Sequence, residues 1–93
     1  MVATKTNGQK VWVTFTLPVA GEVERVSICG EWNSWEDEPM KQKKGGDYYL
    51  TKIFKSGDSF EFGYKINGCE WMTDESCSKV ASPYLSENSL LKL

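Results

Sequence analysis

Apolar residues at every second position constrain this chain more than any other feature. Val11, Val13, Phe15 and Leu17 alternate with Trp12, Thr14 and Thr16, and Phe60, Phe62, Tyr64 and Ile66 alternate with Glu61, Gly63 and Lys65. Successive side chains of an extended backbone point to opposite faces, so each run reads as a strand buried on one side. Pro18 ends the first, because proline has no N–H to give to a ladder. Val26 and Ile28 repeat the pattern before Gly30. Tyr48 to Phe54 is rich in β-formers, but apolar residues fall on both faces and the pattern leaves its register open. Ser56, Gly57 and Asp58 make a turn, and Asn67-Gly68 signals a type I′ hairpin, since both residues tolerate positive φ. Ser89 to Leu93 supplies a last short strand. No segment holds a helical period over about ten residues. The expected fold is all-β, an immunoglobulin-like β-sandwich.

A chain of 93 residues that is 40% hydrophobic can bury one thin core, so a single domain over 10–93 is expected, with residues 1–9 disordered. Eleven basic and thirteen acidic side chains give a net charge of -2, which argues against nucleic acid and anionic membrane as partners. No apolar run has the length of a signal peptide or of a membrane span, so the chain reads as cytoplasmic. Cys29, Cys69 and Cys77 are odd in number and unpatterned in spacing, as expected of reduced thiols.

Chemistry is limited by what is missing. There is no histidine, which removes the usual triads, most zinc sites and the ordinary acid or base near neutral pH. Glu36, Asp37 and Glu38 lie together, as do Asp74 and Glu75, but adjacent loop acids are normally solvated and lack the fixed separation that glycoside hydrolysis needs. Lys41, Lys43 and Lys44 beside Gly45-Gly46 read as a solvated turn rather than a phosphate cradle, since no helix follows. The chain is expected to have no catalytic activity, no cofactor and no metal.

The aromatics remain. In GEWNSWEDEPM, residues Gly30 to Met40, Trp32 follows a turn at a strand end and can fold back over the core, whereas Trp35 lies deeper in a polar loop. Trp71 stands just past the Asn67-Gly68 hairpin, between Glu70 and Thr73-Asp74. Two exposed indoles near amides and hydroxyls suit a ligand with one apolar and one hydroxylated side, and a sugar ring is such a ligand.

GEWNSWEDEPM, then a glycine-aromatic strand, then FEFGYKING..W..D and finally SENSLLKL together resemble the glycogen-binding modules of carbohydrate-binding module family 48. This early-set domain occurs at the N-terminus of isoamylases and glycogen-branching enzymes and in the β-subunit of AMP-activated protein kinase. The likeness runs from about Lys10 to Leu93 and is nearest to short bacterial proteins made of this domain alone. It implies non-catalytic binding of an α-1,4-glucan by a monomer, with a glucan-active enzyme as a further partner. Trp35 and Trp71 match the sugar-stacking tryptophans, Asn88 an asparagine that bonds sugar hydroxyls, and Ser86 a nearby small polar residue, with Tyr84 flanking the groove. Trp32 takes the place of a core phenylalanine.

The chain departs from the family at Gly63, where a lysine or arginine is frequent, and at Asn67, where aspartate is usual. Lys65, on the same strand face as Gly63, can replace the missing cation. A mid-strand glycine needs a reason: either a bulge or a bulky neighbour such as Trp35 or Trp71 lies there, or selection for the sugar-contacting cation has lapsed. With the binding face intact, Gly63→Lys is expected to tighten binding; with a tryptophan across Gly63, it is expected to weaken it. The other reading of the whole chain keeps the sandwich and uses Trp35 and Trp71 as an apolar patch for a protein.

Overall fold

The computed structural model describes residues 1–19, 23–81 and 87–93. Two antiparallel sheets stack face to face, which is the expected all-β sandwich. One has the order β1 (Val2–Asn7), β2 (Lys10–Leu17), β6 (Tyr48–Lys55), β5 (Lys41–Gln42). The other runs β4 (Glu38–Pro39), β3 (Val26–Gly30), β7 (Ser59–Ile66), β10 (Glu87–Lys92), β9 (Ser78–Ala81), and β8 (Glu70–Met72) also pairs with β7. No helix among the described residues is long and apolar enough to cross a membrane.

The alternating runs fill the space between the sheets. Val11, Val13, Phe15 and Leu17 of β2 are buried against Val26 and Ile28 of β3 and Phe62, Tyr64 and Ile66 of β7. The register left open for β6 is settled by its partner: Phe15 faces Leu50 and Val11 faces Phe54, so Tyr48, Leu50 and Phe54 turn inward. Tyr49 and Ile53 are left on the outer surface, which explains why the pattern showed two apolar faces. Asn67 (φ 51°) and Gly68 (φ 76°) form the β7–β8 hairpin with the two positive angles that a type I′ turn requires.

Residues 1–9 are not disordered. Val2–Asn7 pairs with β2 over its whole length, Val2 opposite Phe15 and Asn7 opposite Lys10. Only Val2 of this strand is even partly buried, so backbone hydrogen bonds rather than an apolar face hold it, and a hydrophobic pattern cannot reveal such a strand. The sequence pattern also gives no sign of β9, which is short and mostly exposed.

At one end of the core lies Asp74, only 2% exposed. Its Oδ2 accepts from the Tyr64 hydroxyl at 2.6 Å and the Met1 ammonium at 2.7 Å, and its Oδ1 from the Ser76 backbone N–H at 2.9 Å and the Ser76 hydroxyl at 2.6 Å. Burial alone would raise the carboxyl's pKa, but these donors outweigh it and hold it below the usual carboxylate range. A depressed folded pKa contributes stability that is present above the unfolded value, about 3.9, and is lost as pH falls through the folded one. Tyr64→Phe removes one donor to this charge, so it is expected to cost about 1.5 to 3 kcal/mol at neutral pH. The acid-unfolding midpoint should also move upward. Urea melts at pH 7 and an acid titration followed by circular dichroism test both, and an unchanged acid midpoint would remove Tyr64 from the network's charge balance.

Candidate functional site

The loop after β3 is built by local hydrogen bonds. Gly30 ends the strand in an extended conformation, and a side chain there would run into the ring of Trp32, 2.6 Å from Cζ3. The glycine therefore lets the indole fold back over the core. A 3-10 turn, Glu31–Asn33, follows, with the Asn33 carboxamide oxygen accepting from the Gly30 N–H at 3.1 Å. The Glu38 carboxylate accepts from Asn33 Nδ2 at 3.1 Å, from Trp32 Nε1 at 3.4 Å and from Lys52 Nζ of the opposite sheet at 2.7 Å. Burial works against the Glu38 charge, but these donors prevail and lower its pKa.

This frame ejects Trp35. Ser34 (φ 57°) and Trp35 (φ 63°) both adopt the left-handed region, and the Trp35 N–H closes the turn on the Gly30 carbonyl at 3.0 Å. Positive φ in a residue as bulky as tryptophan costs of order 1 to 3 kcal/mol. The result is an indole 41% exposed, standing on the outer face of the sheet formed by β3, β7 and β10.

Trp71 meets it there. β8 places Trp71 opposite Lys65, and the two indoles lie with centroids 6.2 Å apart and planes tilted by 48°. The Trp71 Nε1–H donates to the Glu87 carbonyl at 2.9 Å, while the ring lies across Gly63. A Cβ on Gly63 would stand 2.1 Å from Trp71 Cζ2. Of the two reasons weighed for this glycine, the bulky neighbour is the one present. The expected gain from Gly63→Lys is therefore reversed, because a lysine stem would have to displace the indole.

Polar groups border the pair. Lys65 Nζ donates to Asp37 Oδ1 at 2.8 Å, and the same oxygen accepts from the Cys29 thiol at 3.2 Å. Those two hydrogen bonds hold the Asp37 carboxyl below its usual pKa, and the bond to Asp37 raises that of Lys65. Burial, reinforced by Asp37, pushes the Cys29 thiol up to about 11, so it stays protonated at neutral pH. Asn88 lies on β10 but is 8% exposed, with its Nδ2 donated to Glu61 Oε1 at 3.3 Å. Trp35, Trp71, Gly63, Lys65 and Asn88 thus fall on the strands and loop of one sheet, whereas Tyr84 and Ser86 lie outside the described residues. Asp37 was read from the sequence as one of several solvated acids. Its partner Lys65 is distant in sequence, and only the fold brings the two together.

Among the described residues no cluster of three or more His, Cys, Asp or Glu side chains could hold a metal, and all three cysteines are free. The chain matches no model of a known protein family and no curated protein.

Proposed function

We propose that this protein is a non-catalytic α-glucan-binding module, of the family 48 type suggested by its motifs, in which Trp35 and Trp71 stack on glucose rings. The observation that carries the reading is the tilted indole pair on an open face, one member of which is held at a backbone angle that costs stability. Strain of this kind persists where a function needs the side chain displayed. Two apolar planes inclined to one another suit a chain whose successive sugar rings are inclined, and suit a flat ribbon poorly. Lys65, Asp37 and Glu61 supply donors and acceptors at the rim for hydroxyl groups.

Such a site is small and wet. Two stacked rings and a few exposed hydrogen bonds supply about 4 to 7 kcal/mol, which corresponds to a dissociation constant of about 0.01 to 1 mM. An NMR titration with maltoheptaose should move the resonances of Trp35, Trp71 and Lys65 and leave the outer face of β1 and β2 unaffected. Cellohexaose should not compete. Equal binding of cellohexaose would reduce the pair to a generic aromatic patch, and no shift with either sugar would leave it as a protein-docking surface.

Trp35→Gly gives a sharper result. Glycine adopts positive φ freely, so the backbone cost at position 35 disappears while the platform is lost. Binding of maltoheptaose should become undetectable, and stability should stay level or rise by up to about 1 kcal/mol. A thermal midpoint that falls by several degrees would show that Trp35 is structural instead.

A further inference from the structure

The acidic residues on the strands all belong to one sheet, Glu38, Glu61, Glu70 and Glu87 on β4, β7, β8 and β10. The strands β1, β2, β5 and β6 contain Lys5, Lys10, Lys41, Lys52 and Lys55 and no aspartate or glutamate. Register places Lys10 opposite both Asn7 and Lys55, Lys5 opposite Trp12, Trp12 opposite Ile53, and Lys41 opposite Tyr49. Directly paired residues share a face, so Lys5, Lys10, Lys41 and Lys55 stand with Trp12, Tyr49 and Ile53 on the outer surface of the four-stranded sheet. Lys52 alone turns away, to Glu38. Lys43 joins the face, its Nζ 5.3 Å from the centre of the Tyr49 ring. None of these five surface lysines forms an ion pair among the described residues. Of the acids near in sequence, Glu38 belongs to the other sheet and accepts from Lys52, and Asp47 and Asp58 lie in connecting segments. A net charge of -2 averages over this asymmetry, so a sum over the whole chain does not describe this face.

Two features separate the surface from an ordinary solvated sheet. Lys10 and Lys55 are directly opposite one another, and like charges so placed weaken a sheet. Beside Trp12 runs a groove of about 380 Å³, bordered by Lys5, Asn7, Thr14 and Thr51, whose threonine hydroxyls are bonded to each other at 3.0 Å. The outer face of β2 therefore presents a cation, an aromatic ring and two hydroxyls in succession, Lys10, Trp12, Thr14 and Thr16. From Lys10 to Thr16, which faces Tyr49, the distance is about 20 Å, enough for a few nucleotides of an extended strand.

We propose that this outer face binds single-stranded nucleic acid, the lysines taking phosphates and Trp12 and Tyr49 stacking on bases. A single strand presents negative charge and planar apolar surface in alternation, which is what the face complements. An acidic polypeptide would engage the lysines and leave the rings unused. A bilayer is met by several large apolar side chains that project, whereas Ile53 is the one strongly exposed large aliphatic residue on this surface, at 55%. The proposal concerns the sheet opposite Trp35 and Trp71 and does not depend on the glucan reading.

The test is fluorescence anisotropy of labelled dT12 titrated with the full chain. Saturable binding is expected at about 20 mM salt, weakening about a hundredfold by about 200 mM if roughly three phosphates are contacted. Lys10→Gln with Lys55→Gln should weaken binding at least about tenfold while relieving the repulsion between them. Trp12→Thr keeps a β-former and should abolish the quenching of tryptophan fluorescence by the oligonucleotide, with folding checked by circular dichroism. Unlabelled poly-L-glutamate should compete poorly. Absence of saturable binding, unchanged affinity in the lysine variant, or equal competition by poly-L-glutamate would each overturn the proposal, the last in favour of an acidic protein partner.

Discussion

Replacing Trp32 by alanine is expected to destabilise the protein by about 3 to 5 kcal/mol. A domain of this size has about 5 to 15 kcal/mol in total, so the change would remove a large share of its folding free energy. The reason is where the indole sits. Its ring stacks on Phe15 at 5.5 Å and meets Phe54, Phe60 and Phe62 at 5.3, 5.8 and 5.9 Å between centroids, so it closes the open end between the two sheets. Alanine would leave those four rings facing a void or water. It would also free Glu38 from one of its three donors and loosen the turn that displays Trp35. The loss should therefore appear in two measurements: a lower denaturant midpoint with an unchanged slope, and weaker glucan binding by the fraction that remains folded. A cost below about 1 kcal/mol would mean that the phenylalanines close over the gap unaided and that the indole is no wedge.

Two tryptophans three residues apart thus have opposite placements, one packed on the core and one exposed, and the sequence carried that distinction because it depends on local order. Trp32 follows a strand-ending glycine, and Trp35 lies beyond an Asn-Ser pair suited to a tight turn. The sandwich was legible for the same reason, since the period of two in β2 and β7 decides which residues are buried. What could not be read depends on pairing. A polar edge strand such as β1 has no apolar face to announce it, the inward face of β6 is chosen by β2, and the Lys65–Asp37 bond needs a register between distant segments. The lysine-rich face was hidden by a sum over the whole chain. Gly63 lies between these cases, because its sequence position raised the right question and only the path of Trp71 answered it.

That answer leads to an unusual sign. Glycine in the middle of a strand costs about 0.5 to 1 kcal/mol relative to alanine, so Gly→Ala in β7 would ordinarily stabilise. At position 63 the new methyl would stand 2.1, 2.5 and 2.7 Å from Cζ2, Cε2 and Cη2 of Trp71, separations that real side chains do not tolerate. The backbone of β7 is fixed on one side by β3, with Cys29 directly opposite Gly63, so the indole must be the part that moves. Once displaced, it gives up its 2.9 Å bond to the Glu87 carbonyl and its packing against Trp35. Gly63→Ala is therefore expected to lose about 1 to 2 kcal/mol of stability, and maltoheptaose affinity should fall at least about tenfold, or about 1.4 kcal/mol. A double-mutant cycle isolates the cause. In a Trp71→Ala background the space above residue 63 is empty, and the same Gly63→Ala change should become neutral or stabilising by about 0.5 to 1 kcal/mol. Thermal and urea melts of the four proteins decide the matter: if Gly63→Ala has the same effect with and without the indole, then Trp71 does not rest on Gly63, and the glycine is not what holds the platform in place.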